Sequence, residues 1–248
     1  MNKLIFAIFL ILLPYCAQAD DIVIGAGVGL KDVLNELSAS YSVKTPGVAI
    51  TKSYLASGAL AKQMDNGLKV DIVLVANIDW IEYLKIKKQV DVSTVDAFAY
   101  NTLVFVGLPR HVDKGSIQGM QDIVRLNKIA VGSPKIVPAG DYAMHAIRKA
   151  GIEKALDKKL VMARDVRDCM MYADRGEVDG AFVYRTDAMM AQNAKILFSV
   201  PTDLYPRVVY MMAVTTTGAK RDETMSLYNF LKSTEAKKVL KKHGFEVQ

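Results

Sequence analysis

Short, continuous apolar runs alternate along this chain with stretches whose apolar residues recur every three or four positions. Ile22-Val23-Ile24, Asp71-Ile72-Val73-Leu74-Val75, Leu103-Val104-Phe105-Val106 and Gly180-Ala181-Phe182-Val183 have the length and composition of buried strands. Leu30, Val33, Leu34, Leu37 and Tyr41 fall at helical spacing after the first of these. Val48-Ala49-Ile50 predicts a second strand, followed by a helix carrying Leu60, Ala61 and Met64. Trp80, Tyr83 and Leu84 predict a helix after the third strand. A second set begins at Lys128-Ile129-Ala130-Val131, with a helix from Asp141 to Ala150 and a further helical stretch around Cys169-Met170-Met171-Tyr172. Val208 to Val214 is another long β run. The chain closes with a helical pair, Asp222 to Leu231 and Thr234 to His243.

This alternation predicts an α/β fold, and the strand–helix–strand rhythm predicts parallel sheets. No Pro/Gly-rich linker or low-complexity tract divides the chain, so the pattern reads as two lobes joined by β crossings. Leu103–Val106 and Val208–Val214 are the candidate hinge strands. The first lobe then takes 20–102 with 207–248 returning to it, and the second takes 103–206. Ligands of open α/β sheets lie outside the carboxyl ends of the strands. That places a ligand cleft between the lobes, with lobe closure as the response to binding.

Four segments stand where such a ligand would lie: Gly27-Val28-Gly29-Leu30, Ala56-Ser57-Gly58-Ala59-Leu60, Val137-Pro138-Ala139-Gly140 and Asp165-Val166-Arg167. Each follows a strand or opens a helix, and each offers small residues with free backbone N–H groups. Helix N-termini carry unpaired N–H groups and partial positive charge, so several converging ones bind an anion without a lysine or arginine. Ser57 adds a hydroxyl, and Tyr184 follows the strand at Gly180–Val183 as a lid.

The start of the chain has the form of a secretory signal. Lys3 precedes an apolar run from Leu4 to Leu13, then Pro14 and the small-x-small site Ala17-Gln18-Ala19. The expected signal peptide is 1–19, cleaved after Ala19, and the mature protein is expected in the periplasm. Pro14 and Tyr15 make a poor lipobox before Cys16. The full chain carries 32 Lys+Arg and 26 Asp+Glu, a formal charge of +6. Loss of the signal removes one lysine and leaves +5, a mild excess that raises anion capture. The densest lysine cluster, Lys237-Lys238 with Lys241-Lys242, has no interleaved aromatic residues for base stacking, so no nucleic-acid partner is indicated.

Only Cys169 of the two cysteines survives cleavage, which excludes an internal disulfide and reads as a buried small hydrophobe. His111, His145 and His243 are scattered without ligand spacing, so a zinc site is not indicated. Met162, Met170, Met171, Met189, Met190, Met211 and Met212 raise a copper site, but they fall mostly inside helices and a strand, where core filling is the commoner role. Tyr184, Tyr205 and Tyr210 lack the carboxylate pattern of a ferric-ion site. There is no P-loop, nucleophile elbow or paired-carboxylate pattern, so no enzyme activity and no cofactor are expected.

Taken in order and spacing, these motifs carry a resemblance. Ala56-Ser57-Gly58-Ala59-Leu60-Ala61, Val131-Gly132 with Val137-Pro138-Ala139-Gly140-Asp141-Tyr142-Ala143, Asp165-Val166-Arg167 and Val183-Tyr184-Arg185-Thr186-Asp187-Ala188 resemble segments of the periplasmic molybdate-binding proteins. These are the substrate-binding components of molybdate ABC transporters. The ending from Phe230-Leu231-Lys232-Ser233 to His243-Gly244-Phe245 fits too, and the similarity runs over essentially the whole mature chain. It implies a two-lobe type II periplasmic solute-binding fold, with the ligand cleft between the lobes. It implies a molybdate or tungstate oxyanion as ligand, held through hydroxyls and N–H groups without direct metal ligands, and the membrane permease of an ABC transporter as partner of a monomer. Carried over by position, Ser57 supplies a hydroxyl and its N–H, Ala139 and Val166 supply N–H groups, and Tyr184 a phenol. The family usually has a serine just before the leucine aligned to Leu30. Here Gly29 stands there, which removes a hydroxyl and leaves an N–H, and Gly29→Ser is expected to tighten binding.

Molybdate and tungstate are fully deprotonated dianions at neutral pH and need donors only. Phosphate keeps a proton and gains from a carboxylate acceptor. Sulfate differs from molybdate mainly in size. Gly29 and Asp141, in the first turn of its helix, keep other oxyanions in view: sulfate, chromate or a phosphorus oxyanion. Asp141 reads first as a dipole partner outside the site. Arg167 and Arg185 read as partners of Asp165 and Asp187, with steering of the anion as the alternative, and Glu36 and Glu82 as acids available to a permease. Two other classes are a ligand-responsive sensor subunit and a secreted enzyme using Tyr184 and Asp187; the second lacks a base–nucleophile pair.

Overall fold

The computed structural model describes residues 21–109 and 117–248. The segment read as a signal peptide, 1–19, and His111 lie outside the described residues.

The first sheet is built from Ile22–Gly27 (β1), Ile50–Leu55 (β2), Ile72–Ala76 (β3), Asp96–Asn101 (β4) and, much later in the chain, Val208–Val214 (β10), in the order β2-β1-β3-β10-β4. The second contains Leu103–Gly107 (β5), Ile129–Gly132 (β6), Leu160–Ala163 (β7), Gly180–Tyr184 (β8) and Lys195–Ser199 (β9), in the order β7-β6-β8-β5-β9. The two orders match strand for strand, with β10 and β5 in equivalent places.

The sheets are mixed, which corrects the parallel sheets expected from the sequence. β1 pairs parallel with β2 and β3, and β6 with β7 and β8, but β10 and β5 run antiparallel to both of their neighbours. The reason is topological. The other strands carry the chain toward the cleft. β5 starts where the chain crosses at Thr102 after β4, and β10 starts where it returns after β9, so both begin at the cleft and run away from it.

The helices are Lys31–Lys44 (α1), Ser57–Asp65 (α2), Ile78–Ile86 (α3), Pro138–Lys149 (α4), Glu153–Leu156 (α5), Val166–Asp174 (α6), Arg185–Ala188 (α7), Asp222–Leu231 (α8) and Thr234–Lys242 (α9). Helix α1 buries Val33, Leu34, Leu37 and Tyr41, the periodic positions, and a 3-10 turn at Val28–Leu30 feeds it from β1. Helix α4 starts three residues before the expected Asp141, because Pro138 at its first position presets the helical φ and needs no N–H partner. The central strands β3, β5 and β8 are buried along their whole length. Strand β2 starts at Ile50, two residues after the expected Val48, and its residues are only partly covered because it lies at the sheet edge.

Candidate functional site

Three helices and one turn aim their N-termini at a single cavity between the sheets. It is lined by Gly27, Val28, Gly29, Ala56, Ser57, Ala76, Val137, Pro138, Ala139, Asp165, Val166, Tyr184 and Tyr210, and is small, with a volume of about 20 Å³. Ser57 and Val166 are the first residues of α2 and α6, Ala139 is the second of α4, and Gly29 lies in the turn before α1. Their N–H groups precede the first carbonyl that helix geometry can offer them. Neither α2 nor α4 has a side-chain cap. Helix α6 is capped by Asp165, whose Oδ1 accepts from Asp168 N–H at 2.9 Å. The one carboxylate in the lining is thus turned onto its own helix. No lysine, arginine or histidine lines the cavity.

The Ser57 hydroxyl has a defined direction. Its Oγ accepts from the Ala76 N–H at 3.0 Å, which joins α2 to the end of β3. That bond uses a lone pair and leaves the hydroxyl proton for the cavity. Two phenols complete the wall. Tyr184 ends β8 in the second sheet and Tyr210 sits in β10 of the first; their rings meet edge-on with centroids 5.8 Å apart. Both are essentially buried, and neither hydroxyl makes a well-formed hydrogen bond, although the Asn101 side chain stands beside that of Tyr210. Burial, foremost, holds both phenols well above their ordinary pKa, so both remain protonated donors at neutral pH.

Behind the Gly29 turn lies a charge cluster. Arg167 Nε stands 2.6 Å from Oδ1 of the fully buried Asp187, and Arg167 Nη2 donates to Asp32 Oδ2 at 2.7 Å. Arg167 therefore pairs with Asp187 and Asp32, and Asp165 is engaged by α6. The bond to Asp32 crosses from α6 to α1 and ties the two lobes. Burial pushes the Asp187 carboxyl up to about 6, partly offset by Arg167.

Two more contacts close the rim. Gly58 N–H donates to the Ile136 carbonyl at 2.9 Å. Asn77 holds φ +82°, donates from Nδ2 to Asp141 Oδ2 at 3.3 Å, and caps α3 by accepting from Asp79 N–H at 2.6 Å. Asp141 is absent from the cavity lining and faces Asn77 and His145, whose Nε2 lies 3.9 Å away. Burial raises its carboxyl above the ordinary value. Glu36 pairs with Lys242 and His243, and Glu82 with Lys85, so both acids already have partners within the chain. Cys169 is fully buried and its thiol is pushed up by burial.

The structure brings Gly29, Ser57, Ala139, Val166 and Tyr184 together at this one cavity. Sequence reasoning passed over Tyr210 as a cavity residue and Asp32 as a cleft contact. Tyr210 lies in an apolar strand and Asp32 in a helical first turn, and neither carries a local signal of where its side chain ends.

A family model for bacterial extracellular solute-binding proteins matches residues 22–246. The chain is 30% identical to the molybdate-binding protein ModA of Escherichia coli over 238 residues, covering 94% of this chain and 92% of that one. It is 28% identical to the molybdate-binding protein ModA of Haemophilus influenzae, covering 94% and 92%. The periplasmic molybdate-binding protein of Azotobacter vinelandii superposes with a TM-score of 0.82 over 92% of this chain and 99% of that chain, at 19% identity.

Proposed function

The chain belongs to the bacterial extracellular solute-binding proteins, and we propose that it captures molybdate, with tungstate as a second ligand, and delivers it to the membrane permease of an ABC transporter. The observation that carries this reading is a cavity between the sheets whose wall is made mainly of donors: the N-termini of α2, α4 and α6, the Gly29 turn, the Ser57 hydroxyl and phenols, with the single carboxylate of Asp165 capping α6. A tetrahedral dianion needs such a wall. A protonated anion would gain from a free carboxylate, and the Asp165 carboxylate is committed to capping α6. The molybdate-binding relatives, similar across nearly the whole chain, support the choice of anion.

In this reading Gly29, Ser57, Ala139, Val166 and Tyr184 contact the anion. The lobes are 20–102 with 207–248, and 103–206, and they hinge where the chain crosses near Thr102 and Arg207. Binding draws them together, the Arg167–Asp32, Gly58–Ile136 and Asn77–Asp141 contacts form, and the permease recognises the closed face. The protein carries no catalytic step, acts as a monomer, and works in the periplasm after cleavage at Ala19.

The test is a thermal-shift and calorimetric panel with molybdate, tungstate, sulfate, phosphate and chromate at matched ionic strength. A ligand at about 1,000 times its Kd adds roughly 4 kcal/mol of stability. The expected result is a large shift with molybdate and tungstate and none with the others. A shift confined to sulfate or phosphate would reassign the ligand within the same fold.

A further inference from the structure

Tyr210 is buried in the middle of the first sheet, where its ring packs edge-on against Tyr184 and against Phe245, with centroids 5.8 and 5.6 Å away. A phenylalanine would fill that space equally well. The hydroxyl is what needs a reason: it is shielded from water, it makes no well-formed hydrogen bond although the Asn101 side chain stands beside it, and its residue lines the anion cavity. Asn101 is already engaged, donating from Nδ2 to Thr186 Oγ1 at 2.9 Å and accepting from Thr102 N–H at 2.9 Å. Burying an unpaired hydroxyl is unfavourable unless something arrives to accept from it.

The glycine at position 29 is related to this hydroxyl by geometry. A Cβ built on Gly29 would lie 3.1 Å from Tyr210 Oη, tighter than an ordinary contact. A side chain at 29 would therefore press on the phenol oxygen, which would have to give by a few tenths of an ångström. Tyr210 reaches it from β10, where its main chain pairs with Ala76, the residue whose N–H holds Ser57. A β-bulge falls on the other side, where Tyr210 pairs with Ala99 and Met211 with Ala97, and bulges re-aim side chains beside sites.

We propose that Tyr210 is a further anion-binding residue: its phenol O–H donates to the bound tetrahedral oxyanion from the space beside Gly29, and glycine at 29 is what admits it. The assignment rests on the oxyanion-binding reading above. The missing side-chain hydroxyl at position 29 is then replaced from another strand, and Gly29→Ser, expected from the family pattern to tighten binding, instead weakens it by pressing on the phenol. The competing role for the hydroxyl is structural. Asn101 and the Asp187 carboxylate are polar side chains that act on it from within the protein.

The experiment is calorimetry with sodium molybdate on the mature protein and on Tyr210→Phe, Gly29→Ala and the double variant, with the ligand-free melting temperature of each. The expected result for Tyr210→Phe is an affinity loss of about tenfold or more, the scale of one donor to a charged acceptor. Its ligand-free melting temperature should equal or exceed that of the parent, because an unpaired buried group has been removed. Gly29→Ala should weaken binding when Tyr210 is present and add little to Tyr210→Phe. Unchanged affinity in Tyr210→Phe overturns the proposal, and a lowered melting temperature alongside it assigns the hydroxyl to a partner within the protein, Asn101 or Asp187. If the parent takes up no molybdate, the molybdate reading falls on that result alone. The comparison is then made with whichever of tungstate, sulfate or phosphate the parent binds, and equal affinity there overturns the Tyr210 assignment.

Discussion

Arg167 Nε lies 2.6 Å from Oδ1 of Asp187, a carboxylate with no exposed surface. Burial raises the Asp187 carboxyl to about 6, and Arg167 offsets only part of that. In the unfolded chain the same group titrates near ~3.9. A carboxyl whose folded pKa is raised takes up a proton on folding between the two values. The folded state therefore loses stability as pH climbs from about 4 to about 6, and the loss is complete above that. Asp187→Asn removes the titration. Its stability relative to the parent should rise across this window by an amount on the order of 3 kcal/mol, from two pKa units at about 1.4 kcal/mol each, and then stay level. Urea midpoints at several pH values check it. A difference that does not change with pH would mean that Asp187 ionises as an ordinary surface carboxylate does.

Ser57 has two tasks at one oxygen. Its Oγ accepts from Ala76 N–H inside the protein, which leaves its proton free to donate to a ligand in the cavity that Ser57 lines. Ser57→Ala should therefore cost both stability and affinity. The orphaned buried N–H costs roughly 1–3 kcal/mol of folding stability, and loss of a donor to an anion costs about tenfold or more in Kd. Urea unfolding and molybdate calorimetry separate the two. A stability loss with unchanged affinity would leave Ser57 as a brace for the α2–β3 junction alone.

Tyr184 has one task in this reading. Its hydroxyl is buried without a partner in the protein. Tyr184→Phe should leave the ligand-free protein at least as stable as the parent, while molybdate affinity falls by about tenfold. The measurement is a melting curve without ligand beside a calorimetric titration. A drop in ligand-free stability with full affinity would show that the hydroxyl serves a partner within the protein and not the anion.

How much of this was legible in the sequence depends on where each element lies. Strands β3, β5 and β8 are central and buried on both faces, so they read as unbroken apolar runs. Strands β4, β7 and β9 went unpredicted and β2 was displaced, and these four are the sheet edges. An edge strand is partly solvated and mixes in residues such as Asp96, Lys52 and Lys195, which blur its period. The cavity segments were visible because small residues at strand-to-helix turns are a local signal. Tyr210 and the Arg167–Asp32 contact were not, because they depend on which strand returns beside which turn. The reversal of β5 and β10 follows from the chain crossing between lobes, and no local pattern encodes it.

Gly58 tests lobe closure itself. Its N–H donates to the Ile136 carbonyl across the cleft at 2.9 Å, and a Cβ placed on it would lie 2.8 Å from the Ile136 Cα and 2.4 Å from the Trp80 ring. The half-buried indole can swing away; the Ile136 main chain can retreat only if the lobes part. Alanine in a helix is otherwise more favourable than glycine by about 1 kcal/mol, so Gly58→Ala should leave the ligand-free protein as stable as the parent or more so. Closure should suffer: overpacking costs roughly 1–3 kcal/mol and a strained interlobe hydrogen bond about 1 kcal/mol, together a loss of at least tenfold in affinity. Small-angle scattering supplies the second readout. The parent should contract on adding molybdate and Gly58→Ala should contract less. Full contraction with parental affinity would mean that the lobes do not approach through Gly58 and Ile136 when the anion binds.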